Sequence, residues 1–182
     1  MVDSLHSLRN SVWLRRALFV ALAALVLFFR LLPLGSEAGA WPGPDLLLCL
    51  IFAWTMRRPD YLPVLLVAGV VLAEDFILMR PPGLWTALVV VGTEFIRSRV
   101  ALTRELTFTV EWLLVAGIMA ALVLAYRAVF AIAFLPQPGL GFAMVQVIWS
   151  ILCYPVVVVV SRYGFDLRKP AKGETDAYGR PL

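Results

Sequence analysis

The residues of this chain that could do chemistry are charged side chains placed within or beside long apolar runs. Asp45 follows Pro44 at the start of one run. Glu74 and Asp75 lie in the last turns of another run, and Arg127 lies near the far end of a third. Ionised groups near the hydrocarbon core are costly, so they mark an ion pair, a ligand site or a proton path. These side chains are the first candidates for a functional site.

Each candidate also has a structural alternative. Asp45 suits a helix N-cap, where its carboxylate accepts hydrogen bonds from free backbone N–H groups. Glu74 and Asp75 are adjacent and point about 100° apart on a helix, so we expect only one of them to face the interior. Asp75 is the candidate for that buried role. It could be a ligand or proton site, or it could form polar contacts that hold neighbouring helices together. Its expected ion-pair partners are Arg30, Arg80 and Arg127.

Two arginine pairs, Arg57 with Arg58 and Arg97 with Arg99, follow the ends of short apolar runs. They could contact anionic lipid or the acidic face of a cytoplasmic partner. Membrane topology alone also requires positive charge at such positions.

The sequence contains none of the catalytic patterns that would indicate an enzyme. No Ser, His and Asp set, CxxC pair, phosphate-binding glycine loop or HExxH motif is present. His6 is the only histidine, and it lies in a polar stretch without a second metal ligand. Cys49 and Cys153 are far apart within apolar runs, so we interpret both as small buried hydrophobes. We expect no enzymatic activity, cofactor or metal.

The elements that must position these residues are membrane helices. The chain has 182 residues, 62% of them hydrophobic and 15% charged, with a mean hydropathy of +0.88. A soluble domain of this size would need more polar surface. The net charge of +4 does not indicate nucleic acid, because the basic residues flank apolar runs and do not form one basic face.

Six apolar runs predict an all-α bundle of six transmembrane helices in a single domain, 1–165. A short polar tail, 166–182, follows. The second and fourth runs are short, which leaves full crossing or a re-entrant hairpin open. Pro155 removes a backbone donor within the sixth run, which frees the Ile151 carbonyl and predicts a kink. The predicted runs are Val12–Leu34, Asp45–Met56, Tyr61–Met79, Gly83–Ile96, Thr107–Leu135 and Phe142–Val160.

The distribution of basic residues predicts the orientation of this bundle. With six crossings, all of the 16 Lys and Arg residues except Arg30, Arg80 and Arg127 fall on one side. The positive-inside rule then places both termini in the cytoplasm of a multi-pass inner-membrane protein.

A group of short motifs lies in the middle of the chain, within residues 44–96. They are a proline-aspartate helix start, a basic turn, a Gly and Asp pair and a second proline-glycine helix start. Their residues are Pro44-Asp45-Leu46, Arg57-Arg58-Pro59-Asp60, Gly69, Asp75 and Pro82-Gly83-Leu84. These motifs resemble those of the MreD family of rod-shape-determining membrane proteins, and they carry almost all of the likeness. One departure is that Pro81 precedes Pro82-Gly83, where proline-leucine-glycine is more usual.

This resemblance implies a non-enzymatic component of the machinery that builds the lateral cell wall in rod-shaped bacteria. The implied partners are an MreC-like bitopic protein, the actin-like MreB, and RodA with its transpeptidase partner. The family is also similar in fold to the substrate-binding subunits of energy-coupling-factor vitamin transporters. A membrane scaffold is therefore the first functional hypothesis, and a vitamin-type transporter subunit is the alternative. The helices contain few amide side chains and their charges lie at the ends, and such a dry bundle favours helix packing over solute binding. The scaffold hypothesis requires no pocket, whereas the transporter alternative predicts a small-molecule cavity lined by Asp45, Glu74, Asp75 and Arg127.

Overall fold

The computed structural model describes the backbone of residues 2–32, 42–103, 107–136 and 139–165, with side chains from residue 12 onward except at 100–103. This part of the chain folds into six α-helices and one short 3₁₀ turn at Pro59–Tyr61, and it contains no strand. The expected polar tail lies outside the described residues. The helices are α1 (Val2–Leu31), α2 (Leu46–Arg57), α3 (Val64–Ile77), α4 (Leu84–Thr103), α5 (Phe108–Ile132) and α6 (Leu140–Phe165).

Three helices within the described ranges are long and apolar enough to cross a membrane. They are the Val12–Leu31 part of α1, all of α5 and all of α6, with mean hydropathies of 2.1 to 2.2. The prediction of an all-helical fold is therefore confirmed, and these three helices are consistent with a membrane protein.

The fourth helix is longer than the sequence pattern predicted. We expected it to end near Ile96, where the arginines begin, but α4 continues to Thr103. Neither glycine nor proline occurs between Thr93 and Thr103, so no residue breaks the backbone hydrogen bonding. Arg97 also stabilises this segment by an ion pair of 2.8 Å with Glu94, one turn earlier.

The short helix α2 forms the centre of the bundle. Every residue of α2 except Leu46 is buried, and the helix packs against α1, α4 and α6. A helix that is apolar on all sides can be covered completely only by other helices. Its twelve residues span roughly 18 Å, so α2 is the shortest and most enclosed helix.

The helices alternate in direction, which gives the bundle two ends. We call them the Arg30 end and the Arg57 end. At the Arg30 end, Arg30 near the end of α1 reaches Asp45 at the start of α2. At the Arg57 end, Arg57 of α2 reaches Glu111 at the start of α5. Polar side chains at both ends therefore join helices that are distant in sequence.

Candidate functional site

Arg30, Asp45 and Glu74 form a charged cluster at the Arg30 end, which we call the Arg30 cluster. The Arg30 guanidinium forms an ion pair with Glu74, and its Nη1 lies 3.7 Å from Asp45 Oδ1. Glu74 and Asp45 are both buried, whereas Arg30 is half-buried. The cluster joins α1, α2 and α3 through one arginine.

Asp45 is the N-cap of the central helix, as the sequence predicted. Its Oδ1 accepts a hydrogen bond from the Leu48 backbone N–H at 3.1 Å. Its own backbone N–H donates to Ser150 Oγ of α6 at 2.8 Å. The Asp45 side chain thus pairs a free backbone N–H at the start of α2, and the Asp45 backbone holds that start against α6.

Asp75 caps a different helix and has a different partner from the one expected. Its Oδ2 accepts hydrogen bonds from the Gly83 N–H, the Thr86 N–H and the Thr86 hydroxyl, at 3.2, 3.3 and 2.8 Å. These donors belong to the start of α4, so Asp75 holds the α3–α4 turn closed. The prediction that Asp75 pairs with an arginine is wrong, because the adjacent Glu74 forms the ion pair with Arg30.

The expectation that only one of the two adjacent acids faces the interior is also wrong. Glu74 is 1% exposed and Asp75 is 0% exposed. Helix α3 packs against α1 on one side and against α4 on another. Both side chains are therefore buried, although they point in different directions from α3. Asp75 Oδ1 has no hydrogen-bond partner among the described residues.

A cavity of about 630 Å³ lies at the Arg30 end. Arg30, Arg80 and Arg127 all contribute to its wall, together with Asp45 and Gln146. The sequence placed these three arginines on the same side, and the structure brings them to one cavity. Of the four residues that the transporter alternative placed around a cavity, Asp45 and Arg127 line this one.

Aromatic side chains form much of the rest of this cavity wall. Trp85 of α4 meets Tyr126 of α5 edge to face, with ring centroids 5.6 Å apart. Tyr126 also contacts Phe130, at 4.7 Å between centroids. Phe142, from the start of α6, adds another ring to the wall. The cavity thus combines guanidinium groups with apolar surface.

A second buried ion pair lies at the Arg57 end. Arg57 Nη1 donates to Glu111 Oε1 at 3.1 Å, and the Tyr154 hydroxyl donates to the same oxygen at 2.9 Å. Arg57 is 5% exposed, and Glu111 and Tyr154 are even more deeply buried. This triad joins α2, α5 and α6.

The triad corrects one sequence interpretation. Arg57 cannot serve as a surface contact for lipid or a partner, because its side chain is buried. Its contact is with Glu111, which lies on a helix distant in sequence. Tyr154 was not predicted at all; its position beside Pro155 in an apolar run was the only available signal.

The other arginines predicted for this surface differ in exposure. Arg97 and Arg58 are half-buried, and Arg99 is exposed beside the Phe95 ring, 5.3 Å from its centroid. Arg97 also donates to the Leu62 carbonyl at 2.5 Å, which joins α4 to the turn before α3. Arg99 is therefore the exposed arginine of the two predicted pairs.

Pro155 lies inside α6, and the helix continues past it to Phe165. Proline cannot donate to the Ile151 carbonyl, which was expected to be left free. The Trp112 indole N–H of α5 donates to that carbonyl at 2.9 Å. The broken backbone bond of α6 is thus replaced by a bond between helices.

The described residues contain no group of three or more metal-ligating side chains. Cys49 and Cys153 are both free thiols. Cys49 is buried as predicted, with its Sγ 3.2 Å from the Ser150 carbonyl oxygen, whereas Cys153 is only half-buried.

Comparison with known protein families, with curated proteins and with solved structures finds no match for this chain.

Proposed function

We propose that this chain is a multi-pass scaffold of the bacterial inner membrane within the cell-elongation complex. In this role it binds an MreC-like bitopic protein and links it to MreB and to RodA with its transpeptidase partner. It acts without catalysis of its own, and it helps to control cell shape and lateral peptidoglycan synthesis. All six helices cross the membrane, with both termini in the cytoplasm.

The strongest support for this proposal is the structural use of the residues that carry the MreD resemblance. Asp45 caps the central helix, and Asp75 accepts a hydrogen bond from Gly83 of the second proline-glycine helix start. Arg57 lies in the buried pair with Glu111. These side chains are occupied in fixing helix ends and helix contacts, which is what a rigid platform needs.

The surface of the bundle also suits contacts with other membrane helices. The long helices carry many exposed apolar side chains, and Leu113, Ile148 and Val156 are each more than half exposed. In a bilayer such faces pack against lipid or against a partner helix. The exposed Arg99 is available to a cytoplasmic partner or to anionic lipid.

The test is purification of the protein from its native membranes in mild detergent, with mass spectrometry of the proteins that co-purify. The proposal expects an MreC-like bitopic protein together with a wall polymerase and its transpeptidase. A matched control is an unrelated multi-pass protein of similar abundance, which should not enrich them. Their absence from material that is otherwise intact would contradict the scaffold function.

A substrate-binding membrane subunit of a small-molecule, vitamin-type transporter is the second candidate. The cavity of about 630 Å³ favours it, since sites for small molecules commonly have volumes of about 300–1,000 Å³. In the same experiment this candidate predicts ATPase subunits and a tightly held metabolite in place of wall-synthesis proteins.

A further inference from the structure

The cavity at the Arg30 end carries more positive than negative charge on its wall. Arg30, Arg80 and Arg127 line it, and Asp45 is the only carboxylate among the described lining residues. The Asp45 carboxylate already accepts from the start of α2 and lies close to Arg30. Arg30 in turn is paired with Glu74, which lies outside the cavity wall. Arg127 adds positive charge to the same wall, and Arg80 is the cation that an incoming anion would meet in the turn between α3 and α4.

Arg80 is well placed for such a contact. It lies in the turn between α3 and α4, with its guanidinium carbon 5.7 Å from the centroid of the Trp85 ring. No ion pair joins Arg80 to any carboxylate in the part of the chain that the structure describes. Stacking on an aromatic ring leaves the N–H edge of a guanidinium open to hydrogen bonding.

The remainder of the wall suits an amphiphilic ligand. Trp85, Tyr126, Phe130 and Phe142 present aromatic surface beside the arginines. The cavity lies where several apolar helices begin or end, which is the depth of lipid headgroups in a bilayer. Basic pockets between membrane helices at this depth bind the phosphates of lipid headgroups.

We propose that this cavity binds a phosphate group, with Arg80 as its cationic contact. The phosphate is carried by a lipid headgroup or is free in solution. Arginine forks match the geometry of phosphate oxygens and remain charged at all physiological pH values. The site goes beyond the scaffold function, which requires no ligand.

The test measures lipid binding to the purified full-length protein by native mass spectrometry. The probes are dioctanoyl phosphatidate and dioctanoylglycerol, which has the same chains without phosphate. Phosphatidate should bind at one saturable site, at least about tenfold tighter than dioctanoylglycerol. Arg80→Gln should weaken phosphatidate binding by about tenfold or more, and Arg80→Lys should restore most of it.

Arg99→Gln is the matched control for Arg80→Gln, because Arg99 also stacks on an aromatic ring but at the other end of the bundle. Gly43 provides a second pair of variants that does not remove an existing contact. A Cβ atom added at Gly43 would meet no atom within 4 Å, and Gly43 lines the cavity. Gly43→Asp should weaken phosphatidate binding by repulsion, whereas Gly43→Asn should not.

Inorganic phosphate added as a competitor distinguishes the two sources of the ligand. Displacement of phosphatidate by millimolar phosphate assigns the site to the free anion, and resistance to it assigns the site to a lipid headgroup. Equal binding of phosphatidate and dioctanoylglycerol would overturn the proposal. So would equal effects of Arg80→Gln and Arg99→Gln, or of Gly43→Asp and Gly43→Asn. Recovery of partner proteins is measured in a separate experiment. Failure of the scaffold proposal can therefore be distinguished from failure of the phosphate-site proposal.

Discussion

At the scale of single residues, the most informative feature is the full burial of Glu111 and Arg57 as a pair. Removing water from two charges is expensive, and their attraction compensates only when the geometry is good and other hydrogen bonds complete the site. Glu111 meets these conditions because its Oε1 accepts from both Arg57 and Tyr154. The pair therefore stabilises the bundle only as a unit.

Glu111→Gln should destabilise the protein by about 3–5 kcal/mol, because it leaves Arg57 as an uncompensated buried charge. Tyr154→Phe removes one hydrogen bond to the carboxylate and no charge, so it should cost less, about 1.5–3 kcal/mol. The double variant Arg57→Met with Glu111→Met should be more stable than Glu111→Gln. Unfolding in detergent measures all of these variants, and equal losses for Glu111→Gln and Tyr154→Phe would contradict the assigned roles.

Glu74 and Asp75 provide a matched test of two roles in adjacent residues. Glu74→Gln removes the charge that faces Arg30 and should cost about 1.5–3 kcal/mol. Asp75→Asn keeps an oxygen that can accept from the start of α4, and Asn is as good an N-cap as Asp, so its cost should stay below about 1 kcal/mol. The same unfolding measurement compares them. A larger loss for Asp75→Asn would indicate that the Asp75 charge itself is required.

At the scale of elements, α5 and α6 are joined where α6 loses a backbone hydrogen bond. Pro155 cannot donate to the Ile151 carbonyl, and the Trp112 indole of α5 donates to it. An unpaired carbonyl in a nonpolar environment is costly, so the proline makes α6 depend on its neighbour.

Trp112→Phe should cost about 1–3 kcal/mol in the native sequence, because it leaves the Ile151 carbonyl unpaired. In a Pro155→Ala background a backbone N–H becomes available to that carbonyl, so the same change should cost less than half as much. A double-mutant cycle of unfolding free energies measures this coupling. Trp149→Phe, at an exposed tryptophan of α6, should show no coupling to Pro155→Ala. Additive costs for Trp112 and Pro155 would contradict the shared hydrogen bond.

The sequence predicts helix starts better than it predicts helix contacts, and the reason is physical. Pro44 and Asp45 define the start of α2 through local capping chemistry, which a sequence pattern contains. The length of α4 was underestimated because arginines near a membrane surface were interpreted as a helix end. The contacts of Glu111 with Arg57 and Tyr154 join residues more than forty positions apart, so they depend on how the helices pack. The cavity has the same origin, since its wall combines residues of α1, α4, α5 and α6 with the segment before α2 and the turn between α3 and α4.

At the scale of the whole molecule, both proposals depend on one arrangement in the membrane. If all six helices cross, the Arg30 end with its cavity faces outward and the Arg57 end faces the cytoplasm. The twelve-residue helix α2 decides this arrangement, because the loss of its crossing would invert every helix that follows. Helix α4 has twenty residues, which is long enough to cross. The contacts of α2 favour full crossing, because its start lies at the Arg30 end and its last residue lies at the Arg57 end.

The most direct test is the accessibility of single cysteines to a membrane-impermeant maleimide, in a Cys49→Ala, Cys153→Ala background. One position is taken from each connection between helices, and labelling is compared in intact and permeabilised cells. Gly43→Cys, Pro82→Cys and Gly139→Cys should react in intact cells, whereas Asp60→Cys and Thr107→Cys should react only after permeabilisation. Labelling of Gly43→Cys and Asp60→Cys from the same side would show that α2 does not cross, and would contradict the six-crossing arrangement.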